Sequence, residues 1–119
     1  MRSQPKPLQF VGSSRRDLRS FPKEAREAAG RELRRVQWDK LPLDWKPMNG
    51  VGHGVAEIRV RSSDGGTVQH RVLYVAKFEE AVYVLHAFEK KTRETPQYQL
   101  EAAAARYKQM LRERDHGER

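Results

Sequence analysis

Residues 55–96, VAEIRVRSSDGGTVQHRVLYVAKFEEAVYVLHAFEKKTRETP, hold three strand-like runs: Ala56–Arg61, Val68–Lys77 and Ala81–Phe88. Val, Ile, Tyr and Phe dominate them, and such residues suit a half-buried pleated surface. Ser62–Thr67, with its Asp64-Gly65 turn signal, joins the first two runs, and the acidic bend Glu79-Glu80 joins the last two. The stretch predicts a three-stranded antiparallel meander. Cations recur along it: Arg59 and Arg61, Arg71 and Lys77, then Lys90 and Lys91 just past the third run.

Alternation says where those cations point, because side chains at i and i+2 share a face of a strand. Ile58 and Val60 face one way, and Glu57, Arg59 and Arg61 the other. In the second run Val72, Tyr74 and Ala76 oppose Arg71, Leu73, Val75 and Lys77. The cationic side is apolar in its middle, which predicts a central strand covered on both faces. The third run alternates Tyr83, Leu85 and Ala87 with Val84, His86 and Phe88 and is ambiguous in the same way. If the cationic ends align across the sheet, Arg59, Arg71 and Lys90 or Lys91 converge on one surface.

At 119 residues the chain predicts a single domain over 1–119, long enough for one two-layer core, with 1–7 and 115–119 flexible. Lys and Arg number 24 against 16 Asp and Glu, a formal charge of +8. That excess favours a polyanionic partner, nucleic acid first; an acidic protein or an anionic membrane surface satisfies the same charge. Cysteine is absent, which excludes disulfide scaffolds, thiolate catalysis and zinc–thiolate sites. No apolar run approaches membrane-spanning length and no signal-peptide core is visible, so a cytoplasmic protein without a membrane partner is expected.

Upstream, residues 1–7 are polar with two prolines and are expected to fray. Leu8–Val11 is apolar and can add a strand at the edge of the meander. Ser14 with Asp17 three residues later resembles a capping box with the shorter acid, opening a short helix over Arg15–Ser20. Pro22 fits the first position of a second helix running to about Trp38. Ala25, Ala29, Leu33 and Val36 give that helix one buried face. Arg26, Glu27, Arg31, Glu32, Arg34 and Arg35 stay outside, either as a solvated face or as a second phosphate-contacting patch.

Asp39–Gly54 reads as a loop, broken by Pro42, Pro47, Gly50, Gly52 and Gly54. Leu41, Leu43, Trp45 and Met48 are expected to pin it to the core, although Trp45 beside Lys46 is alternatively a base-stacking pair. After the meander, Thr95 caps and Pro96 opens a C-terminal helix. Its apolar stripe is Leu100, Ala103 or Ala104, Tyr107 and Leu111, and Arg106, Lys108, Arg112 and Arg114 are expected on an exposed basic side.

Most enzyme classes leave no trace. His53, His70, His86 and His116 do not fall at metal-ligand spacings, so no metal and no cofactor is expected. The glycines of Gly50–Gly54 precede a strand rather than a helix, unlike a phosphate loop, and no serine nucleophile elbow or carboxylate pair is recognisable. A basic cluster on a sheet remains. It suits either passive phosphate binding or stabilisation of a phosphoryl transition state.

Several segments together resemble the phage-derived branch of the RelE/HigB toxins: Glu57-Ile58-Arg59, Arg71-Val72-Leu73-Tyr74-Val75, Tyr83 through Thr92 (YVLHAFEKKT), and Thr95-Pro96. Trp45-Lys46-Pro47-Met48 and the helix pair before it fit too, so the resemblance spans about Leu8 to Leu111. It implies an α+β, RelE-like fold: a small, mostly antiparallel sheet, two N-terminal helices on one face, and a C-terminal helix. It also implies the toxin of a type II toxin–antitoxin system, an endoribonuclease that cuts mRNA on the ribosome. Its partner would be a helix-turn-helix antitoxin in a hetero-oligomer.

Carried over by position, Arg59, Arg71, Lys90 and Lys91 are the expected catalytic residues, with Arg61, Lys77, His86 and Lys46 as RNA contacts. The RNA would supply its own 2′-hydroxyl nucleophile. Arg71 with Arg59 would hold the phosphate, since a guanidinium fork matches its geometry. Lys90 or Lys91, crowded by cations, would move the proton. His86 is either a proton shuttle or a hydrogen-bonded structural histidine, and Arg59 with Glu57 is either part of the site or a plain ion pair. Arg71→Ala is expected to abolish cleavage while sparing the fold, as at an exposed site. Two rival functions stay open, a ParE-like gyrase-inhibiting toxin and a non-catalytic RNA- or antitoxin-binding module.

Overall fold

The computed structural model describes residues 2–61 and 69–117. Five strands form one sheet in the order β1-β5-β4-β3-β2: β1 (Leu8–Phe10), β2 (Trp45–Pro47), β3 (Val55–Val60), β4 (Gln69–Val75) and β5 (Val82–Lys90). The predicted meander is β3-β4-β5, antiparallel throughout, with β4 central and buried on both faces. The expected edge strand is β1, which runs parallel to β5. The Asp64-Gly65 turn and Val68 lie outside the described residues.

Three helices cover the sheet: α1 (Ser14–Arg19), α2 (Lys23–Gln37) and α3 (Gln97–Gly117). On one face Leu18, Phe21, Ala29, Leu33 and Val36 pack against Ile58, Val60, Val72, Tyr74, Val82 and Val84. On the other, Ala103 and Met110 of α3 pack against Val55, Leu73, Val75, Leu85 and Phe88. Each face of the sheet therefore has its own core, and this explains why β4 and β5 are apolar on both sides. No helix among the described residues is long and apolar enough to cross a membrane.

A bulge sets the facing of β5. Leu73 pairs with His86 but Tyr74 pairs with Val84, so Leu85 is the extra residue. Tyr83 and Leu85 pack on the α3 side, and after the bulge so do His86, through α3 partners, and Phe88. The strict alternation expected for this run therefore breaks at its centre.

Several local expectations differ from the structure. The 39–54 segment contains the short edge strand β2, where Pro47 is tolerated because an edge need not donate on both sides. Trp45 packs against the helix-side core and Met48 against the α3 side. Leu41 and Leu43, however, are exposed, at 59% and 79%. Their backbone is held instead, with Arg35 Nε donating to the Leu41 carbonyl and Leu43 N–H to Glu32.

At α1 the capping residue is Ser13, not Ser14, and it makes no side-chain cap; the buried Ser14 hydroxyl donates to the Val84 carbonyl at 2.9 Å. The N-terminal segment is tied down rather than frayed. Arg2 bridges Asp39 and Glu79, and the buried Lys6 ammonium donates to the Ala76 carbonyl. At the other end α3 continues through Asp115 to Gly117.

Candidate functional site

The strand register answers whether the cations converge. Arg59 lies directly opposite Arg71 across β3–β4, and Glu57 opposite Lys46 across β2–β3. Arg71 lies opposite Phe88, and Gln69 opposite Lys90. All alternate onto the α3 side of the sheet. The α3 helix meets that face at His86, through Gln99, and runs from there to Glu80, through Arg114. The Lys90 end of the face is the end from which α3 departs.

The centre of the cluster is an acid. Glu57 is 1% exposed, and its Oε1 accepts from Arg71 Nη1 at 2.9 Å. Arg59 Nε stands 3.8 Å from the same oxygen. The Glu57–Arg59 ion pair that the sequence allows is therefore present, but Arg71 is the closer partner. The other terminal nitrogen of Arg71, Nη2, donates to Gln69, and Arg71 is only 6% exposed. Arg71 is thus not the exposed phosphate clamp that was expected. Removing its side chain would strand a buried carboxylate, so the substitution cannot spare the fold.

Arg59 is more accessible and also faces Asp44 at 3.7 Å. Lys90, half-buried, feels Arg71 and Glu57 and, beyond them, Lys46 and Arg59. Burial, then the charge of Arg71, pushes its ammonium below the ordinary lysine value, with Lys46 and Arg59 adding to the push and Glu57 opposing it. Three atoms of the cluster, Glu57 Oε2, Arg59 Nε and Arg71 Nε, are buried without a hydrogen bond among the described residues. Unsatisfied buried polar atoms are rare and call for an explanation.

The remaining sequence-predicted residues lie apart. Lys91 is exposed and sits 3.9 Å from Glu89, outside the cluster. Arg61 is exposed at the rim, paired with Asp44 at 3.2 Å. Lys77 lies at the opposite end of the sheet, between His53 and Tyr107.

His86 is buried under α3. Its Nδ1 accepts from Arg106 at 2.8 Å and its Nε2–H donates to Gln99, so the partners select the neutral Nε2–H tautomer. Burial pushes its pKa below the ordinary 6.5. Arg106, expected on the exposed face of α3, instead joins His86, Asp17 and Ser13. His86 therefore anchors α3 to the sheet. No group of three or more His, Asp or Glu that could hold a metal ion occurs among the described residues.

Residues 16–108 match the family model described as Phage derived protein Gp49-like. The chain belongs to that family. This Gp49-like protein is also similar in structure to the Escherichia coli toxin RelE, solved as a mutant in the free state. The TM-score is 0.60 at 17% identity, covering 85% of this chain and 95% of the other. That likeness establishes the RelE-like α+β fold. A toxin–antitoxin complex, RelBE2 of Mycobacterium tuberculosis, aligns at a TM-score of 0.47 and 24% identity, over 72% of this chain and 99% of that one. No curated protein sequence matches.

Sequence reasoning missed Glu57 as the hub, and with it Gln69 and Asp44. A signal was present. Glu57 is the single acid on the cationic face of its strand, two residues before Arg59. Its burial depends on Arg71, fourteen residues away, and only the cross-strand pairing reveals that.

Proposed function

We propose that this Gp49-like protein is the toxin of a type II toxin–antitoxin pair, in the HigB-like branch of the RelE superfamily, and that it cleaves mRNA on the ribosome. The strand register that brings Lys46, Arg59, Arg71 and Lys90 onto one end of the α3 face carries the reading. A basic patch alone binds phosphate. A lysine whose ammonium is held below its ordinary pKa by burial and by the charge of Arg71 is also the group of that patch suited to exchange a proton.

In the proposed reaction Arg59 and Lys46 hold the scissile phosphate, with Arg71 behind them. Lys90 accepts the proton of the adjacent 2′-hydroxyl, whose oxygen attacks phosphorus. The bond to the 5′-oxygen breaks, and that oxygen takes a proton from water. The products are a 2′,3′-cyclic phosphate and a free 5′-hydroxyl. Charge growing on the phosphate oxygens is offset by guanidinium and ammonium groups already in place, so little reorganisation is needed. The partner in this reading is a helix-turn-helix antitoxin, and the site of action is the cytoplasm.

The test is a cell-free translation reaction with labelled mRNA and purified protein, mapping new 5′ ends with and without active ribosomes. Cuts that appear only during translation are expected. Intact mRNA in both arms would refute the reading.

A further inference from the structure

Glu57 is the one buried charge of the cluster that the proposed chemistry does not use. Its carboxylate is almost wholly buried, with one oxygen on Arg71 and the other without a hydrogen bond among the described residues. A buried carboxylate is costly even when paired, and a neutral residue of similar size would often be tolerated better. The charge therefore needs a reason beyond packing. Lys90 lies on the same face of β5 as Phe88, which is opposite Arg71 on β4; Arg59 on β3 lies opposite Arg71, and Lys46 on β2 opposite Glu57. Glu57 is the one among them that favours the charged lysine; the three cations oppose it.

We infer that Glu57 is a positioning residue: its buried charge holds the Arg71 guanidinium behind the site and sets the charge balance against which Lys90 exchanges its proton. The consequence for cleavage rests on the ribonuclease reading, but the charge balance itself is measurable without RNA. Glu57 is too deeply enclosed to meet substrate and acts through its two neighbours.

The experiment follows the Lys90 Nζ signal by NMR across neutral and alkaline pH in the full chain, beside single-turnover cleavage of mRNA on programmed ribosomes. Glu57→Gln keeps an acceptor for Arg71 and removes the charge. The Lys90 midpoint is expected to move to lower pH, with the rising limb of the cleavage profile moving the same way.

A second comparison holds even where Glu57→Gln alone does not fold. Arg59→Gln by itself should move the midpoint up, and adding Glu57→Gln should bring it down again. A midpoint unmoved by losing Glu57 in either background overturns the inference. Wild-type protein that cuts no mRNA while these midpoints shift would count against the ribonuclease reading and leave this one standing.

Discussion

The two ends of the α3 face are both rich in cations, yet they are built on opposite principles. At the far end Glu80, Arg114 and Lys77 all meet partners. Glu80 receives Arg114 Nε at 2.6 Å and the Tyr83 hydroxyl at 2.7 Å. The Arg114 guanidinium lies 3.6 Å from the centre of the Phe78 ring, and Lys77 contacts His53 and Tyr107. At the near end Lys46, Arg59, Arg71 and Lys90 share the face of one buried acid, and three buried polar atoms there lack a hydrogen bond among the described residues. The titration behaviour follows. Arg114 holds the Glu80 carboxyl down at about 2, which marks a charge stabilised in its ionised form, whereas Lys90 is pushed away from its charged form. A satisfied end fastens a helix, and in the proposed reading the crowded end is the one that receives the phosphate.

The largest expected effect of breaking this contrast lies at Arg71. Arg71→Ala leaves Glu57 buried without its closest partner, a loss of about 3–5 kcal/mol in chemical denaturation. A change below about 0.5 kcal/mol would mean that Glu57 does not depend on Arg71.

At the fastened end, a Cβ on Gly52 would stand 2.6 Å from the Tyr107 ring. Gly52→Ala must therefore push α3 outward, at a cost of about 1–3 kcal/mol. Thermal unfolding reads it, and the position of the Lys90 midpoint should be untouched.

The smallest effect concerns Glu80. Its pKa is about 2 in the folded chain against an ordinary 4.5, so its contribution is complete above about 4.5 and fades as pH falls toward 2. The carboxylate is half-exposed, and solvent screening limits the effect to ~0.2–1 kcal/mol. Glu80→Gln should flatten the stability profile across that acid window, as followed by urea titration at stepped pH. A profile parallel to wild type would place the acid sensitivity elsewhere.

Much of the fold was legible in the sequence, and the reasons the contrast between its two ends was not are physical. The meander, its central strand and the α2 face follow from local periodicity, because Val, Ile and Leu at spacings of two or of three and four report burial directly. The β2 strand was hidden because Pro47 and the glycines around it punctuate a three-residue edge pairing made with a distant strand. Leu41 and Leu43 misled because backbone hydrogen bonds to the Arg35 and Glu32 side chains, not their own side chains, hold that loop.

Choosing between Lys90 and Lys91 required the register of β5, which a central bulge shifts. Arg71 and Arg106 looked exposed because a cation is normally at the surface. Their burial rests on Glu57 in one case, and on His86, Asp17 and Ser13 in the other. Those partners lie too far along the chain for any local pattern to show.

The most direct measurement sets the two ends against each other in one translation assay, mapping mRNA 5′ ends for wild type, Lys90→Met and Lys77→Met. The account predicts that Lys90→Met loses cleavage about 10²–10⁴-fold, the range for a group that moves a proton, while Lys77→Met cuts within about threefold of wild type, as expected of a residue outside the reacting cluster. Equal cleavage by wild type and Lys90→Met, or loss confined to Lys77→Met, would contradict it.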